Sequence, residues 1–205
     1  MSSDNPHMTS PSPTVPPHSA GTQLALIGVF AAFCAVMSVM PALPVGPLAV
    51  PITLQTLAVY LTGLVLGPRR GGLAVLLYVV VGVAGLPVFS GFRGGPGVLA
   101  GPSAGYIVSF AVAGALTGLL AYGVLRRAGS NKTRVLGLFG AAVLGGFVVA
   151  RLIGIPGMAT NGGLSLRDAF LADLLYWPGD LLKCAVAAIV AAAVHRAFPR
   201  LAGRQ

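Results

Sequence analysis

The chain has 205 residues, 56% of them hydrophobic and only 8% charged, with a mean hydropathy of +0.88. That balance excludes a soluble globular domain and describes an integral membrane protein. The net charge of +9 could suggest nucleic-acid binding, but no soluble fold or aromatic-basic surface accompanies it.

Residues 1–21 form a Pro/Ser-rich stretch that reads as a disordered tail. His7 and His18 fall in it and carry no expected role. From there to residue 198 the pattern is one membrane domain. Since about 20 apolar residues cross a bilayer, the length accommodates about six spans, and the expected fold is all-α with six transmembrane helices. Span one runs from about Thr22 to Met40 and stops at PALPVGP. Span two starts near Pro51 and ends at GPRRGG (67–72). Span three covers Leu73 to about Val88, followed by the glycine-rich SGFRGGPGVLAGPSAG. Span four covers roughly Tyr106 to Leu125 and span five Val135 to Ile155. After a polar connection containing TNGGLSLRD, span six runs from Pro178 to about His195, and 199–205 is a basic tail. Cys34 and Cys184 lie in apolar runs, where a small buried hydrophobe is expected rather than a disulfide or metal ligand.

Arginines and lysines orient this arrangement. Arg69, Arg70, Arg126, Arg127, Lys132, Arg134, Arg196, Arg200 and Arg204 all fall on one side of a six-span chain. The positive-inside rule makes that side, with both termini, cytoplasmic. The other face carries only Arg93, Arg167 and, at the outer end of span five, Arg151. Arg93 lies in GFRGGPG, where glycines permit backbone turns that other residues resist. Irregular backbone near membrane depth persists where it is buried or lines a cavity, so this segment is a candidate binding loop.

The chain has four acidic residues and no glutamate. Against that background, Asp180 and Lys183 in WPGDLLKC are expensive, at roughly 2.5–3.5 kcal/mol each within a span. Asp180 has a local excuse, since Pro178 starts a helix whose dipole favours an acid nearby. Lys183 opposes that dipole, so beyond neutralising Asp180 or snorkelling it points to a polar ligand. Tyr176 and Trp177 sit at the depth of an interfacial aromatic belt. Tyr106 is a pocket wall or a belt residue. Thr53 and Gln55 open span two from the same outer side and offer polar tips to a cavity. A mainly apolar pocket with few placed polar groups then suits a small solute bearing a carboxylate and an amide-like head.

The stretch from Val50 to Phe110, with PITLQ, GPRRG, GLPVF, GPSAGY, and PGDLLK at 178–183, resembles the BioY family, the biotin-specific S components of energy-coupling factor transporters. Ser103 and Ala104 depart from the threonine and glycine common there. The resemblance implies capture of biotin from outside by Asp180 and Lys183, with Arg93 as a further candidate for the valerate carboxylate. Gly94, Gly95, Tyr106, Gln55 and Trp177 would enclose or contact the ligand. It also implies a transmembrane T component and a pair of ATPases as partners, since the chain contains no G-x-x-x-x-G-K-[ST] loop. Gly28, Ala31, Ala32 and Ala35 on span one resemble the small-residue contact surface of S components. No cofactor and no catalytic residue are expected. An enzyme lacks the parts, with His195 the one histidine beyond the tail. The remaining alternatives are an S component for another vitamin and a proton-coupled carrier using Asp180.

Overall fold

The computed structural model describes residues 20–40, 43–45 and 50–198. Helix α1 (Ala20–Val39) leads into a short antiparallel hairpin of β1 (Leu43–Val45) and β2 (Val50–Ile52), with Leu43 opposite Ile52. Then come α2 (Gln55–Val83), an irregular loop with one 3-10 turn at Pro96–Ala100, and α3 (Ala104–Arg127). Helix α4 (Asn131–Ala141) passes through a π-helical stretch, Ala142–Val148, into α5 (Val149–Gly162). Helix α6 (Leu166–Asp173) passes through one 3-10 turn into α7 (Trp177–Ala197). Five helical stretches are long and apolar enough to cross a membrane: Ala20–Val39, Gln55–Val83, Ala104–Arg127, Asn131–Gly162 and Leu166–Ala197. Leu24, Leu152 and Leu182 are more than 60% exposed, as suits side chains that face lipid rather than water. The protein is therefore an all-helical, multi-pass membrane protein.

Helix α2 is not a rod. Gly67 has φ 77° and ψ −173°, a region open essentially to glycine, and Pro68 follows, which suits the first turn of a new helix. The chain reverses there. Gln55 Nε2 donates to Tyr78 Oη at 2.7 Å, although a straight helix would separate them by roughly 35 Å. The two legs pack through small residues, since a methyl group on Gly71 would stand 3.0 Å from Gly63 Cα. Helix α3 crosses equally close, because any side chain on Gly118 would run into the backbone of Gly67 and Pro68. Without lipid-side hydrophobic drive, such close backbone approach is how membrane helices gain packing.

Two boundaries differ from the sequence expectation. Ala20 and Gly21 already belong to α1 rather than to the tail, while residues 1–19, with His7 and His18, and 199–205, with Arg200 and Arg204, lie outside the described residues. The supposed polar connection before span six is mostly helix. Gly163 ends α5 in the left-handed conformation, φ 65°, and Ser165 caps α6 by accepting from the Asp168 amide at 3.1 Å. The true break is three residues long. Charges at Arg167 and Asp168 had masked a helix whose ends are set by caps, not by hydropathy.

Candidate functional site

At the end of the bundle where α7 begins, five segments enclose a cleft. The start of α2 supplies Thr53, Gln55 and Thr56. The loop after α2 supplies Phe89, Ser90 and Arg93. Helix α3 adds Tyr106, Ile107 and Phe110, and α5 adds Met158. Asp173, Tyr176, Asp180 and Lys183 complete the lining. The walls are apolar and aromatic and the polar groups gather at one place, as in small-molecule sites generally.

That place is a charge cluster. Asp173, Trp177 and Asp180 recur at i, i+4 and i+7, which puts them on one face of the α6–α7 stretch. Lys183 Nζ lies 2.8 Å from Asp180 Oδ1, and Arg151 Nη2 lies 2.9 Å from Asp180 Oδ2. Arg151 Nε also lies 2.9 Å from Asp173 Oδ2. Thr56 Oγ1 donates to Asp180 Oδ1 at 3.0 Å and accepts from Lys183 Nζ at 3.3 Å. Tyr106 Oη and Trp177 Nε1 each donate to Asp173 at 2.7 Å. The four charged side chains are between 2% and 12% exposed. Two acids and two cations cancel. Desolvating each ion costs several kcal/mol, offset here by close ion pairs and by the hydrogen bonds from Thr56, Tyr106 and Trp177.

Arg151 reaches the cluster because of the turn before it. The π-helical stretch at 142–148 contains Gly145 and Gly146, and any side chain on Gly146 would strike the Tyr60 ring. A π turn rotates everything after it relative to an unbroken helix, and three residues later the Arg151 guanidinium lies 3.6 Å over the Phe147 ring. Arg151 had been expected at the outer end of its span. Helix α5 continues to Gly162, so Arg151 lies well inside, 6% exposed. Asp180, expected at a free helix start, follows a chain already helical from Leu166. The local excuse for its charge therefore weakens, and its partners explain it instead.

The expected site residues separate into groups. Asp180, Lys183, Gln55, Tyr106 and Arg93 line the cleft, as does Thr53. Gln55 spends its amide nitrogen on Tyr78, and Tyr106 spends its hydroxyl on Asp173, so the former offers its other amide atom and the latter its ring. Arg93 stands exposed at the rim, with Nε donating to Ser90 O at 3.1 Å. Trp177, Gly94 and Gly95 are not among the lining residues. Trp177 packs edge-on against Phe147 and Phe170, behind the aspartate it holds. Any side chain on Gly94 would meet the Leu86 carbonyl, and Gly95 has φ 86° with its amide on Gly82 O at 2.8 Å. Both glycines shape the loop. On α1, Gly28 and Ala32 are exposed, Ala35 is half-buried, and Ala31 turns into the bundle beside Cys34.

The sequence reading missed Arg151, Asp173 and Thr56. One signal was present: Asp173 is one of only four acids, about two helical turns before Asp180 on the same face.

The BioY family model matches residues 9–200. The chain belongs to the BioY family. It is 38% identical over 181 residues to the biotin transporter BioY of Rhizobium etli, covering 88% of this chain and 97% of that protein. It is 40% identical over 185 residues to the biotin transporter BioY of Rhodobacter capsulatus, covering 86% and 94%. Its fold matches the crystal structure of the S-component for biotin from an ECF-type ABC transporter. The TM-score is 0.81 over 89% of this chain and 95% of that one, at 22% identity. At that identity the likeness speaks for the fold. Family and relatives are transporters, not enzymes.

Proposed function

We propose that this BioY-family chain is the biotin-binding S component of an energy-coupling factor transporter and takes up biotin across the cytoplasmic membrane of a prokaryote. The observation that carries the reading is the neutral cluster of Asp173, Arg151, Asp180 and Lys183 at the base of an apolar cleft. A ureido head is neutral and both donates and accepts hydrogen bonds. A cluster whose charges cancel can meet such a head on both edges without leaving a net buried charge. Lys183 has two protein partners for three ammonium hydrogens, which leaves one for the ureido oxygen. Asp180 offers its carboxylate to ureido N–H groups. Phe89, Phe110, Ile107 and Met158 suit the apolar ring and chain. Arg93, exposed at the rim, then suits the valerate carboxylate.

Reversal of α2 at Gly67 supports a count of six spans, with both legs of α2 traversing part of the bilayer. Basic residues at the far end of α3 and α7 support cytoplasmic termini, with the biotin cleft facing outward. A transmembrane T component and a pair of ATPases would supply the energy. Gly28 and Ala32 are the members of the α1 set that present small residues outward for that T component. A proton carrier built on Asp180 has less in its favour, because two cations, Arg151 and Lys183, are paired with that carboxylate. Calorimetry on the purified protein with biotin, desthiobiotin and thiamine tests the reading. Biotin is expected to bind at micromolar concentration or below and thiamine not to bind. Absence of biotin binding at micromolar concentration overturns it.

A further inference from the structure

The end of the bundle opposite the cleft carries a second feature. Helix α3 runs from Tyr106 in the cleft to Arg126 and Arg127 at its other end, and α4 returns from Asn131. Between them lies one groove, and a second on the surface of α3 adjoins it. One is walled by Leu120, Val124 and Leu144 and floored by Gly137, Gly140 and Ala141; the other runs past Tyr122 to Arg126. They share one stripe of α3, Leu119, Gly123 and Arg127, at i, i+4 and i+8. Arg127 lies along this stripe, with Nη1 donating to Gly123 O at 3.4 Å, and Arg126 stacks over the Tyr122 ring at 5.6 Å. Lys132 and Arg134 follow within one turn of α4. The described side-chain carboxylates, Asp168, Asp173 and Asp180, all lie on α6 or at the start of α7, so the basic mouth has no carboxylate partner among the described side chains.

We propose that this forked groove is a binding site for one glycerophospholipid with an anionic headgroup. The branch along Leu119, Leu120, Val124 and Leu144 supplies an apolar bed for acyl chain, and the shorter branch past Tyr122 to Arg126 is basic and suits the headgroup. Arg127 at the junction, with Arg126 beside it, supplies charge complementarity for the phosphate, in the manner of basic pockets between membrane helices. A soluble anion would use the basic mouth and leave the apolar branch empty. The inference is independent of the biotin reading, because it uses neither the cleft nor its ligand.

The test is native mass spectrometry of the full chain in detergent, equilibrated with equal amounts of phosphatidylglycerol and phosphatidylcholine. One phosphatidylglycerol is expected to be retained over phosphatidylcholine by roughly fivefold or more, from the attraction of clustered basic residues. Arg126→Gln combined with Arg127→Gln should equalise the two lipids, and Arg126→Lys with Arg127→Lys should keep the preference. Gly140→Leu should reduce retention of both, since a side chain there meets nothing within 4 Å and fills the branch without moving backbone. An unfolding temperature in detergent equal to that of the unaltered protein reports folding of each variant. Equal retention by the unaltered protein overturns the proposal, as does a preference that survives both the glutamine pair and Gly140→Leu. Displacement of the lipid by inorganic phosphate alone would also overturn it, making the mouth an ion site.

Discussion

The two ends of the bundle handle charge in opposite ways. Where α7 begins, buried Asp173, Arg151 and Asp180 and half-buried Lys183 cancel one another within hydrogen-bonding distance. Where α3 ends, Arg126, Arg127 and Lys132 are exposed with no described side-chain carboxylate at that end. Buried charge is tolerable only when paired, so the first end is fixed in geometry and suited to hold a solute. Exposed like charge needs no internal partner, so the second end remains available to set orientation and attract anionic lipid. Burial, not the number of charges, decides which end can hold a small polar solute in fixed geometry.

Substitutions should break this contrast in order of burial. Arg151→Met is the most damaging. It leaves Asp180 with Lys183 alone and takes from buried Asp173 its paired cation, and losing one partner of a buried pair costs roughly 3–5 kcal/mol, seen as a lowered unfolding temperature in detergent. A variant as stable as the parent would mean the cluster is not the keystone of this end. Gly67→Ala follows, at roughly 1–3 kcal/mol, because it forces a side chain into backbone that glycine alone adopts comfortably. Its effect should reach the cleft, since Gln55 and Tyr78 meet only because α2 reverses. Asp180→Asn and Lys183→Ala should each weaken biotin at least tenfold, about 1.4 kcal/mol, by calorimetry on folded protein. Unchanged affinity would remove these residues from the site.

What the sequence could show follows the same division. Long apolar runs exposed the spans because lipid demands about 20 such residues. Asp180 and Lys183 stood out because charge in an oily run is rare. Arg151 was hidden because hydropathy ended its span at Ile155, whereas the helix continues through polar Thr160 and Asn161 to Gly162. Nor could hydropathy reveal that a π turn aims the arginine inward. Asp173 was hidden in a segment read as a connection, and Thr56 looked like any hydroxyl on a membrane helix. Spacing could not tell the faces of an alanine-rich α1 apart, so Ala31, which packs inward, was grouped with Gly28 and Ala32, which face out.

Arg93 sharpens the comparison because it sits at the first end but is exposed like the second. It is exposed at the rim, and its Nε is held by its own loop. If burial sets the strength of each contact, its ion pair with a ligand carboxylate is worth only the roughly 0.2–1 kcal/mol of exposed pairs, up to about fivefold in affinity. Arg93→Gln should therefore weaken biotin by no more than that, with the loss growing at low salt, where exposed charges are less screened. The methyl ester of biotin lacks the carboxylate and should bind the parent and the variant alike. Equal weakening of acid and ester would place the carboxylate elsewhere. A loss from Arg93→Gln as large as that from Lys183→Ala would reverse the assignment, because the rim would then close over the ligand and bury a charge that is now open.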